Sequence, residues 1–447
     1  MKRLTDRIFA LLLALLLPTL ALGEETPPAV TLRLGGYLNG CEAYCRMYPH
    51  VTIEYTEDDY LSANGIITSL LTRDARYDVM AVNTSAVDVA KIFDQGYALA
   101  LNASEKITAY VDSLYPALRD MVTRDGHIYA VPIHLFSTEG GYYPRSFENL
   151  GLEVPTTWQE LAALINAWPE QPDDVLEDYE INEWTTNYRW WFLNKMTQNY
   201  AAYLEATGQE IHFDTPLYRE LVSLVDTMTT ENDAEEERDV MALMGNGYIE
   251  PFQNGYTFDT PLLDLAIEGQ VTHDVTVFMV MVNPYTQHAE EALRMLEVLI
   301  DQISAPTLQT MVDAVHLAPV ENPEYPQLVE QWQKEGEQLE AKLSACDEAD
   351  RLDVQEEIRR HESSWTWIEA SRWLITEESI PAYAEVFKTL HFSGPSVLDT
   401  RDESDPYAQT FAYTLQSRYI DGQIDMDAYI RELESRMQMV IMERGQS

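Results

Sequence analysis

The residue combinations that would mark a catalytic centre are absent from this 447-residue sequence. It contains no G-x-S-x-G nucleophile elbow, phosphate-binding loop, G-x-G-x-x-G fingerprint, H-E-x-x-H zinc motif or paired C-x-x-C. Its nine histidines are scattered singly, as surface or packed imidazoles usually are. Its 75 Asp and Glu residues are numerous enough for some pair to reach glycosidase spacing by chance. We therefore expect no enzyme, no cofactor and no metal site, with a hydrolase as the remaining enzymatic alternative.

Two loops carry residue types that suit the binding of a small molecule. Residues 30–34 and 77–83 are predicted strands, and tyrosine, asparagine, threonine and serine follow them in the segments 37–40 and 83–85. In sheets of mostly parallel strands, ligands bind beyond the carboxyl ends of the strands. The pattern therefore predicts a binding site at these two loops.

The elements around these loops predict an α/β fold. Residues 51–55 alternate apolar and polar side chains as a strand does, and helical patterns cover residues 39–48, 62–73 and 87–95. Strands that alternate with helices favour a mostly parallel sheet with helices on both faces. We expect this sheet to form the core of a first lobe.

The chain changes character after about residue 139. A helical, aromatic segment at 158–204 is preceded by Thr157, which is spaced from Glu160 as in a helix capping box. The apolar run at 275–282 predicts another buried strand, and residues 287–303 have helical periodicity. We therefore expect the chain to leave the first lobe and later return to it.

Length and composition agree with two lobes. With 46% hydrophobic residues the chain can bury a sizeable core, and its length suits two domains better than one. We expect a signal peptide at 1–23, an N-terminal lobe from 24–139 and 271–320, and a C-terminal lobe from 140–270 and 321–447.

A charged segment at 324–371 predicts a helical hairpin inserted in the second lobe. Its apolar residues recur at helical spacing in two runs that are separated near residues 344–348. The runs are Leu328, Trp332, Leu339 and Leu343, then Val354, Ile358, Trp365 and Ile368. We expect this hairpin to serve structural packing rather than the recruitment of a partner.

The first residues predict export. Lys2, Arg3 and Arg7 precede an apolar run at 8–22, and the small residues before Glu24 suit cleavage at that point. The apolar run is shorter than the roughly 20 residues that span a bilayer, and it contains no cysteine for lipid attachment. We expect a secreted protein, extracellular or periplasmic, at the outer face of the cytoplasmic membrane.

The sequence is strongly acidic. Its net charge is −46, and about −48 after the predicted cleavage, which removes three basic residues and Asp6. Such a charge repels nucleic acid and anionic lipid headgroups. We therefore expect no nucleic-acid partner, and any charged partner should be basic or cationic.

The three cysteines are Cys41, Cys45 and Cys346. An exported chain can keep a disulfide, and the spacing of Cys41 and Cys45 brings both to one face of a helix. The backbone geometry within a helix is poor for bridging. Either a Cys41–Cys45 disulfide or buried free thiols fits the pattern.

Six segments in a fixed order resemble a known family. They are YPHVTIEY, YDVMAVN, FDQGYALALN, DGHIYAVPIHL, the Tyr142–Tyr143 pair before RSFENLGLEVPTTWQEL, and NPYTQHAEEALRMLEVL. This series resembles the family 1 extracellular solute-binding proteins, the group that includes the maltose- and glycerol-phosphate-binding proteins. The resemblance covers residues 30–319, and it weakens from residue 379 onward.

The resemblance implies a type II periplasmic-binding-protein-like fold, in which two α/β lobes joined by crossing strands close on a ligand. It also implies a monomer that delivers its ligand to an ABC-type permease in the membrane. Hinges are expected at residues 133–140 and 316–322. Carbohydrate is the expected solute, because its sites pair flat aromatic surfaces with planar polar side chains. Peptides, polyamines and phosphorylated polyols are the competing solutes, and the few basic residues near the predicted loops disfavour a multiply anionic ligand. A signalling or adhesion module that binds a protein partner is the alternative on the same scaffold.

The ligand-binding residues that the resemblance implies come from both lobes. The first lobe would supply Tyr37, Asn39, Asn83 and Thr84, and the second Trp190, Trp191, Tyr248 and either Tyr407 or Phe411. The two tryptophans are adjacent on a predicted helix, so at most one is expected to face the cleft. Turn and cap roles are the alternative for the first-lobe residues. Phe136 stands where the family often has a carboxylate, and Glu139 follows three residues later, so no hydrogen bond is carried over to Phe136.

Overall fold

The computed structural model describes residues 28–36, 38, 40–55, 64–137, 139–182, 187–228, 240–247, 249, 260–347, 351–400 and 410–446. Its strands are β1 Val30–Gly35, β2 Val51–Tyr55, β3 Val79–Asn83, β4 Thr123–Arg124, β5 His127–Ile128, β6 Val131–Phe136, β7 Gly140–Tyr142, β8 Tyr179–Asn182, β9 Met241–Asn246, β10 His273–Val282, β11 Val320–Glu321, β12 Trp373–Ile375 and β13 Leu390–Phe392. Its α-helices are α1 Cys41–Met47, α2 Asn64–Thr72, α3 Val89–Asp94, α4 Glu105–Ser113, α5 Pro116–Val122, α6 Pro144–Leu150, α7 Trp158–Ala167, α8 Asp173–Asp178, α9 Tyr188–Ala206, α10 Pro216–Thr227, α11 Ala289–Gln302, α12 Ala305–Met311, α13 Tyr325–Ala345, α14 Arg351–Ser363, α15 Trp365–Ala370, α16 Ser379–Phe387, α17 Phe411–Ile420 and α18 Met426–Gln446.

The main sheet belongs to the first lobe and has six strands. Strand β1 lies between β2 and β3 and is parallel to both, whereas the long strand β10 runs antiparallel to β3 and to β6. Strand β13 pairs in parallel with the start of β10. Strands β1, β2, β3 and β6 therefore share one direction, and their carboxyl ends lie at one edge of the sheet. The predicted α/β fold is confirmed.

Strand β10 shows how an apolar run becomes the centre of this sheet. Val275 and Val277 are fully buried, and so are all four residues from Met279 to Val282. Both faces of the second half of the strand are therefore covered, as expected for a strand between two layers of helices. The strand predicted at 275–282 is confirmed, and it begins two residues earlier, at His273.

The second lobe has its own hydrophobic core, built mainly from helices α7, α9, α10, α17 and α18. A three-stranded sheet in the order β7-β9-β8 lies beside them. Thr157 caps α7, because its hydroxyl accepts a hydrogen bond from the Glu160 amide at 3.1 Å. The Glu160 carboxylate accepts from the Thr156 amide at 2.8 Å, one residue earlier than a standard capping box would place it.

The predicted hairpin is formed by α13 and α14, which run antiparallel, with α15 packed at their base. Trp332 stacks on His361 with ring centroids 4.7 Å apart, and its Nε1 donates to the His361 carbonyl oxygen at 3.1 Å. No residue of α13 is buried. The hairpin is therefore held together by contacts between its own helices.

The segment 379–392 packs with the first lobe. Tyr383 on α16 is 1% exposed within the first core, and Phe387 stacks on Tyr115 with ring centroids 3.7 Å apart. Strand β13 then pairs with β10 in the main sheet. The lobe boundaries expected from the sequence assigned residues 321–447, and with them this segment, to the second lobe. The contacts of the segment place it with the first lobe.

The cysteines are free thiols: Cys41 is buried, and Cys45 and Cys346 are partly buried. Cys41 and Cys45 both lie on the short helix α1, and the Cys41 thiol donates to the Leu38 carbonyl oxygen. The sequence left open a Cys41–Cys45 disulfide or free thiols, and the structure has free thiols. Among the helices of the described residues, none has the length and apolar character needed to cross a membrane.

Candidate functional site

A cavity of about 250 Å³ lies between the two hydrophobic cores. The main sheet forms one wall, helix α9 forms a second, and the segment 393–399 forms a third. The described residues that line it are Asn83, Ser85, Phe136, Glu139, Gln198, Ala201, Ala202, Glu205, Ile211, Asp274, Thr276, Phe278, Ser393, Gly394, Ser396, Val397 and Asp399. A small molecule in this cavity would contact both lobes at once.

The first-lobe wall is built from the carboxyl ends of parallel strands. Asn83 ends β3 and Phe136 ends β6, while the antiparallel strand β10 passes between them. In the register of the sheet, Phe278 lies opposite Asn83 and Thr276 lies opposite Phe136. The cavity therefore occupies the position at which ligands bind in open α/β sheets, and it includes the predicted loop 83–85.

Asn83 and Thr84 have different roles in this wall. The Asn83 side-chain oxygen accepts hydrogen bonds from the Ser85 hydroxyl and the Ala86 amide, both at 2.8 Å, which forms an Asx turn at the cavity. Thr84 is 2% exposed, and its hydroxyl accepts from the Val277 amide at 3.1 Å. Asn83 lines the cavity, whereas Thr84 fixes the loop to β10.

The two adjacent tryptophans point in different directions from α9, as their spacing predicted. Trp191 is 7% exposed and lies beside Glu139, Lys195 and Trp158, in a small void next to the cavity. Trp190 packs edge-to-face against Tyr413, with ring centroids 5.1 Å apart. Neither ring lines the cavity of 250 Å³.

The remaining sequence-predicted residues divide into two groups. Phe411 is 3% exposed in the second-lobe core, where it begins α17. Tyr37, Asn39, Tyr248 and Tyr407 lie outside the described residues. For these four, a role in binding stays a prediction.

The aromatic surface of the cavity comes from Phe136 and Phe278, which the sequence did not single out as ligand-binding residues. The Phe136 residue is 47% exposed although it ends a strand of the main sheet, and the two rings meet edge-to-face with centroids 6.5 Å apart. A large exposed aromatic residue inside a cavity offers a flat face to a ligand. One feature of the sequence could have drawn attention to Phe136: the resemblance aligns it with a position at which the family often has a carboxylate.

Carboxylates line the side of the cavity where the chain crosses between the lobes. Glu139 accepts from the Asp274 amide at 3.3 Å, and the Asp274 carboxylate accepts from the Ser393 hydroxyl at 2.5 Å. On α9, the Glu205 carboxylate lies 3.2 Å from Nε2 of His391. These contacts join segments more than 100 residues apart, so sequence spacing could not reveal them.

Burial shifts the pKa values of these groups toward their neutral forms. It raises the pKa of Glu139, against the opposing effect of the His273 and Lys195 charges. It also raises the pKa of Asp274, to which the nearby charges of Glu205 and Asp399 add. Burial lowers the pKa of the Lys195 ammonium, which lies beside Glu139. The site therefore holds poorly solvated ionisable groups whose neutral forms are favoured.

These shifts determine how stability depends on pH. Because the folded chain holds protons on Glu139 and Asp274 more tightly than the unfolded chain, their contribution is fully present below the unfolded-state pKa and is lost as pH rises through the folded-state pKa. Asp74 and Glu160 act in the opposite direction, because hydrogen bonds from Ser69 and Thr156 lower their pKa. Both lie at the surface, where solvent screens the effect.

We expect the melting temperature to rise when the pH is lowered from about 8 to about 5. Acidification also reduces the repulsion within a chain of net charge −46. Thermal melts of the protein and of an Asp274→Asn variant, at matched ionic strength, would measure this, with a smaller rise expected in the variant. A melting temperature that falls steadily over this range, or an equal rise in the variant, would contradict the assignment.

Comparison with known proteins agrees with the two-lobed architecture. No family model matches the chain. An uncharacterized ABC transporter extracellular-binding protein of Pyrococcus horikoshii is 28% identical over 194 residues, which are 37% of this chain and 44% of that protein. The matched region thus spans less than half the length of this curated relative.

Two solved structures have a similar fold. One is an ABC transporter solute-binding protein of Agrobacterium vitis with bound D-mannitol, with a TM-score of 0.51, 15% identity, and coverage of 94% of this chain and 99% of that one. The other is the cyclic α-maltosyl-1,6-maltose binding protein of Arthrobacter globiformis, with a TM-score of 0.52, 16% identity, and coverage of 92% and 99%. The chain has the two-lobed fold of ABC-transporter solute-binding proteins, and the fold that the resemblance in the sequence implied is confirmed.

Proposed function

We propose that this chain, which has the fold of the ABC-transporter solute-binding proteins, captures a small polyhydroxylated solute outside the cytoplasm and delivers it to an ABC-type permease. The observation that carries the proposal is the cavity of about 250 Å³, whose walls come from both lobes. A site shared in this way couples binding to the relative position of the lobes.

The chemistry of the walls supports a sugar or polyol. Such solutes have apolar C–H faces and many hydroxyl groups, and the cavity offers the rings of Phe136 and Phe278 together with planar amides at Asn83 and Gln198. Its volume lies just below the roughly 300–1,000 Å³ typical of drug-sized ligand sites. This favours a monosaccharide or a polyol of similar size. Of the two similar structures, one has bound D-mannitol and the other is of a cyclic α-maltosyl-1,6-maltose binding protein.

The predicted signal peptide supports export, and the position of the cavity supports closure of the lobes. The predicted signal peptide at 1–23 would place the lobes outside the cytoplasm, where a permease could receive the solute. The chain crosses between the lobes at Glu139 and Asp274, which line the cavity. A hinge at 133–140 would therefore move cavity residues directly when the lobes close.

A ligand screen combined with solution scattering tests the proposal. We expect one or more members of a panel of sugars, polyols and amino acids to raise the melting temperature, because a ligand at 100 times its Kd adds about 2.7 kcal/mol of stability. The same ligand should reduce the radius of gyration in small-angle X-ray scattering. A tightly bound ligand that leaves the scattering profile unchanged would contradict closure between lobes. A panel in which only amino acids bind would contradict the solute class.

A further inference from the structure

The long helix α9 contacts the chain at three places where it crosses between the lobes. These crossings lie between β6 and β7, immediately before β10, and after β13. Strands β6, β10 and β13 belong to the main sheet, whereas β7, Ile267 and Val397 belong to the second lobe. Because α9 is part of the second-lobe core, it lies at the junction through which any movement between the lobes must pass.

Two side chains attach α9 to the first two crossings. Lys195 lies beside Glu139, which precedes β7, and the charge of each opposes the effect of burial on the pKa of the other. Asn199 is 3% exposed, and its amide donates to the carbonyl oxygen of Thr272, one residue before β10, at 2.6 Å. Both contacts fix the helix against the backbone that connects the lobes.

The third contact joins α9 directly to the main sheet. Nε2 of His391, on β13, donates to the Glu205 carboxylate at 3.2 Å, between residues 186 apart in the sequence. Both the neutral Nε2–H tautomer and the imidazolium can make this hydrogen bond. Glu205 lines the cavity, whereas His391 does not. His391 therefore acts on a ligand in the cavity through Glu205 and the position of α9, without touching the ligand.

The same helix supplies one wall of the cavity. Gln198, Ala201, Ala202 and Glu205 line it, and their spacing of three and four residues places them on one face of α9. The opposite wall is the main sheet, which contains β13 and therefore His391. A displacement of α9 relative to the main sheet would move the two walls apart.

We infer, on the basis of the proposed solute-binding function, that His391 is a positioning residue for ligand binding. Its hydrogen bond to Glu205 holds α9 against the main sheet, with both walls of the cavity in place. Without this bond, a smaller fraction of the molecules has the assembled cavity, and the apparent Kd of every ligand rises by the inverse of that fraction. The size of the effect is therefore independent of the groups that the ligand carries.

Calorimetric titration of His391→Ala and His391→Gln at neutral pH tests the inference. The ligand panel contains D-glucose, D-xylose, D-mannitol, D-sorbitol and maltose. For every compound that binds the unaltered protein, we expect His391→Ala to weaken binding by one common factor of roughly 3- to 30-fold. His391→Gln should keep most of the affinity, because the glutamine amide can donate to the Glu205 carboxylate.

His127→Ala is the matched control. His127 is an exposed imidazole on β5 in the first lobe, outside the cavity lining, so its removal should leave every Kd unchanged. The melting temperature of His391→Ala should also change little, because the contact with Glu205 is partly exposed to solvent. An equal loss of affinity in His127→Ala would overturn the inference.

The remaining outcomes separate this inference from the proposed function. Unchanged affinity in His391→Ala, with or without a lower melting temperature, would show a contact that serves stability alone; it would overturn the inference and leave a solute-binding protein. Factors that differ between ligands would overturn it as well, because they would show an effect on a particular ligand group. Binding as weak in His391→Gln as in His391→Ala would exclude the hydrogen bond as the cause. Failure of every compound to bind the unaltered protein would overturn both the proposed function and the inference.

Discussion

Replacement of Trp158 by alanine is expected to lower the free energy of unfolding by about 3–5 kcal/mol. The side chain is 2% exposed in the second-lobe core and meets the Phe192 ring edge-to-face, with centroids 5.1 Å apart. Its Nε1 donates to the Asn199 side-chain oxygen at 3.2 Å, and the Asn199 amide donates to the Thr272 carbonyl oxygen at 2.6 Å. Removal of the indole would leave a large void and an amide oxygen without its donor.

A Trp158→Phe variant separates the two contributions. It keeps most of the ring volume but leaves the Asn199 oxygen without its donor, so we expect a smaller loss of about 1–3 kcal/mol. Chemical denaturation followed by circular dichroism would give both values, and hydrogen exchange would show whether protection is lost first in α7 and α9. A loss below about 1 kcal/mol in Trp158→Ala would contradict its position as the centre of this core.

Replacement of Phe136 by alanine is expected to weaken binding of the best ligand from the screen by roughly 10- to 100-fold. The ring is partly exposed in the cavity, and covering an aromatic side chain on binding contributes about 1.5–3 kcal/mol. The same exposure means that stability should change little, because the ring covers little of the core. Calorimetric titration and thermal melts of one preparation would measure both quantities.

Val315→Ala supplies the control for this variant. Val315 is 81% exposed and does not line the cavity, so its truncation should leave affinity unchanged. Phe136→Tyr should retain most of the affinity, because it keeps the flat ring. Unchanged binding in Phe136→Ala would show that the ligand lies elsewhere, and a large drop in melting temperature would show that the ring is part of the core.

Local sequence patterns determined much of the architecture. The apolar run at 275–282 predicted strand β10, the serial apolar positions at 324–371 predicted the hairpin of α13 and α14, and Thr157 predicted the start of α7. Each of these features depends on side chains within about one to four residues of one another along the chain, or on a periodicity that continues for several turns. Such short-range relations are present in the sequence itself.

The cavity also contains residues that the sequence did not predict, because they belong to distant segments. The rule that ligands bind beyond parallel strands singled out the loop of Asn83 and Ser85, and both residues line the cavity, since strand direction follows from the α/β pattern. It could not supply the segment 393–399, which enters the site through the pairing of β13 with β10. No local pattern in that segment indicates a neighbour more than 100 residues away.

Only the tertiary structure decided which aromatic side chains line the cavity. The sequence predicted that the side chains of Trp190 and Trp191 point in different directions from one helix, because adjacent helical residues are about 100° apart. It did not predict which residues each ring would contact. Packing of α9 against the second-lobe core directed both rings away from the cavity, and the end of β6 left Phe136 exposed within it. Sequence periodicity thus determined which elements form and which faces are apolar. The docking of the two lobes determined which of those side chains a ligand can reach, because that depends on contacts between residues far apart in the chain.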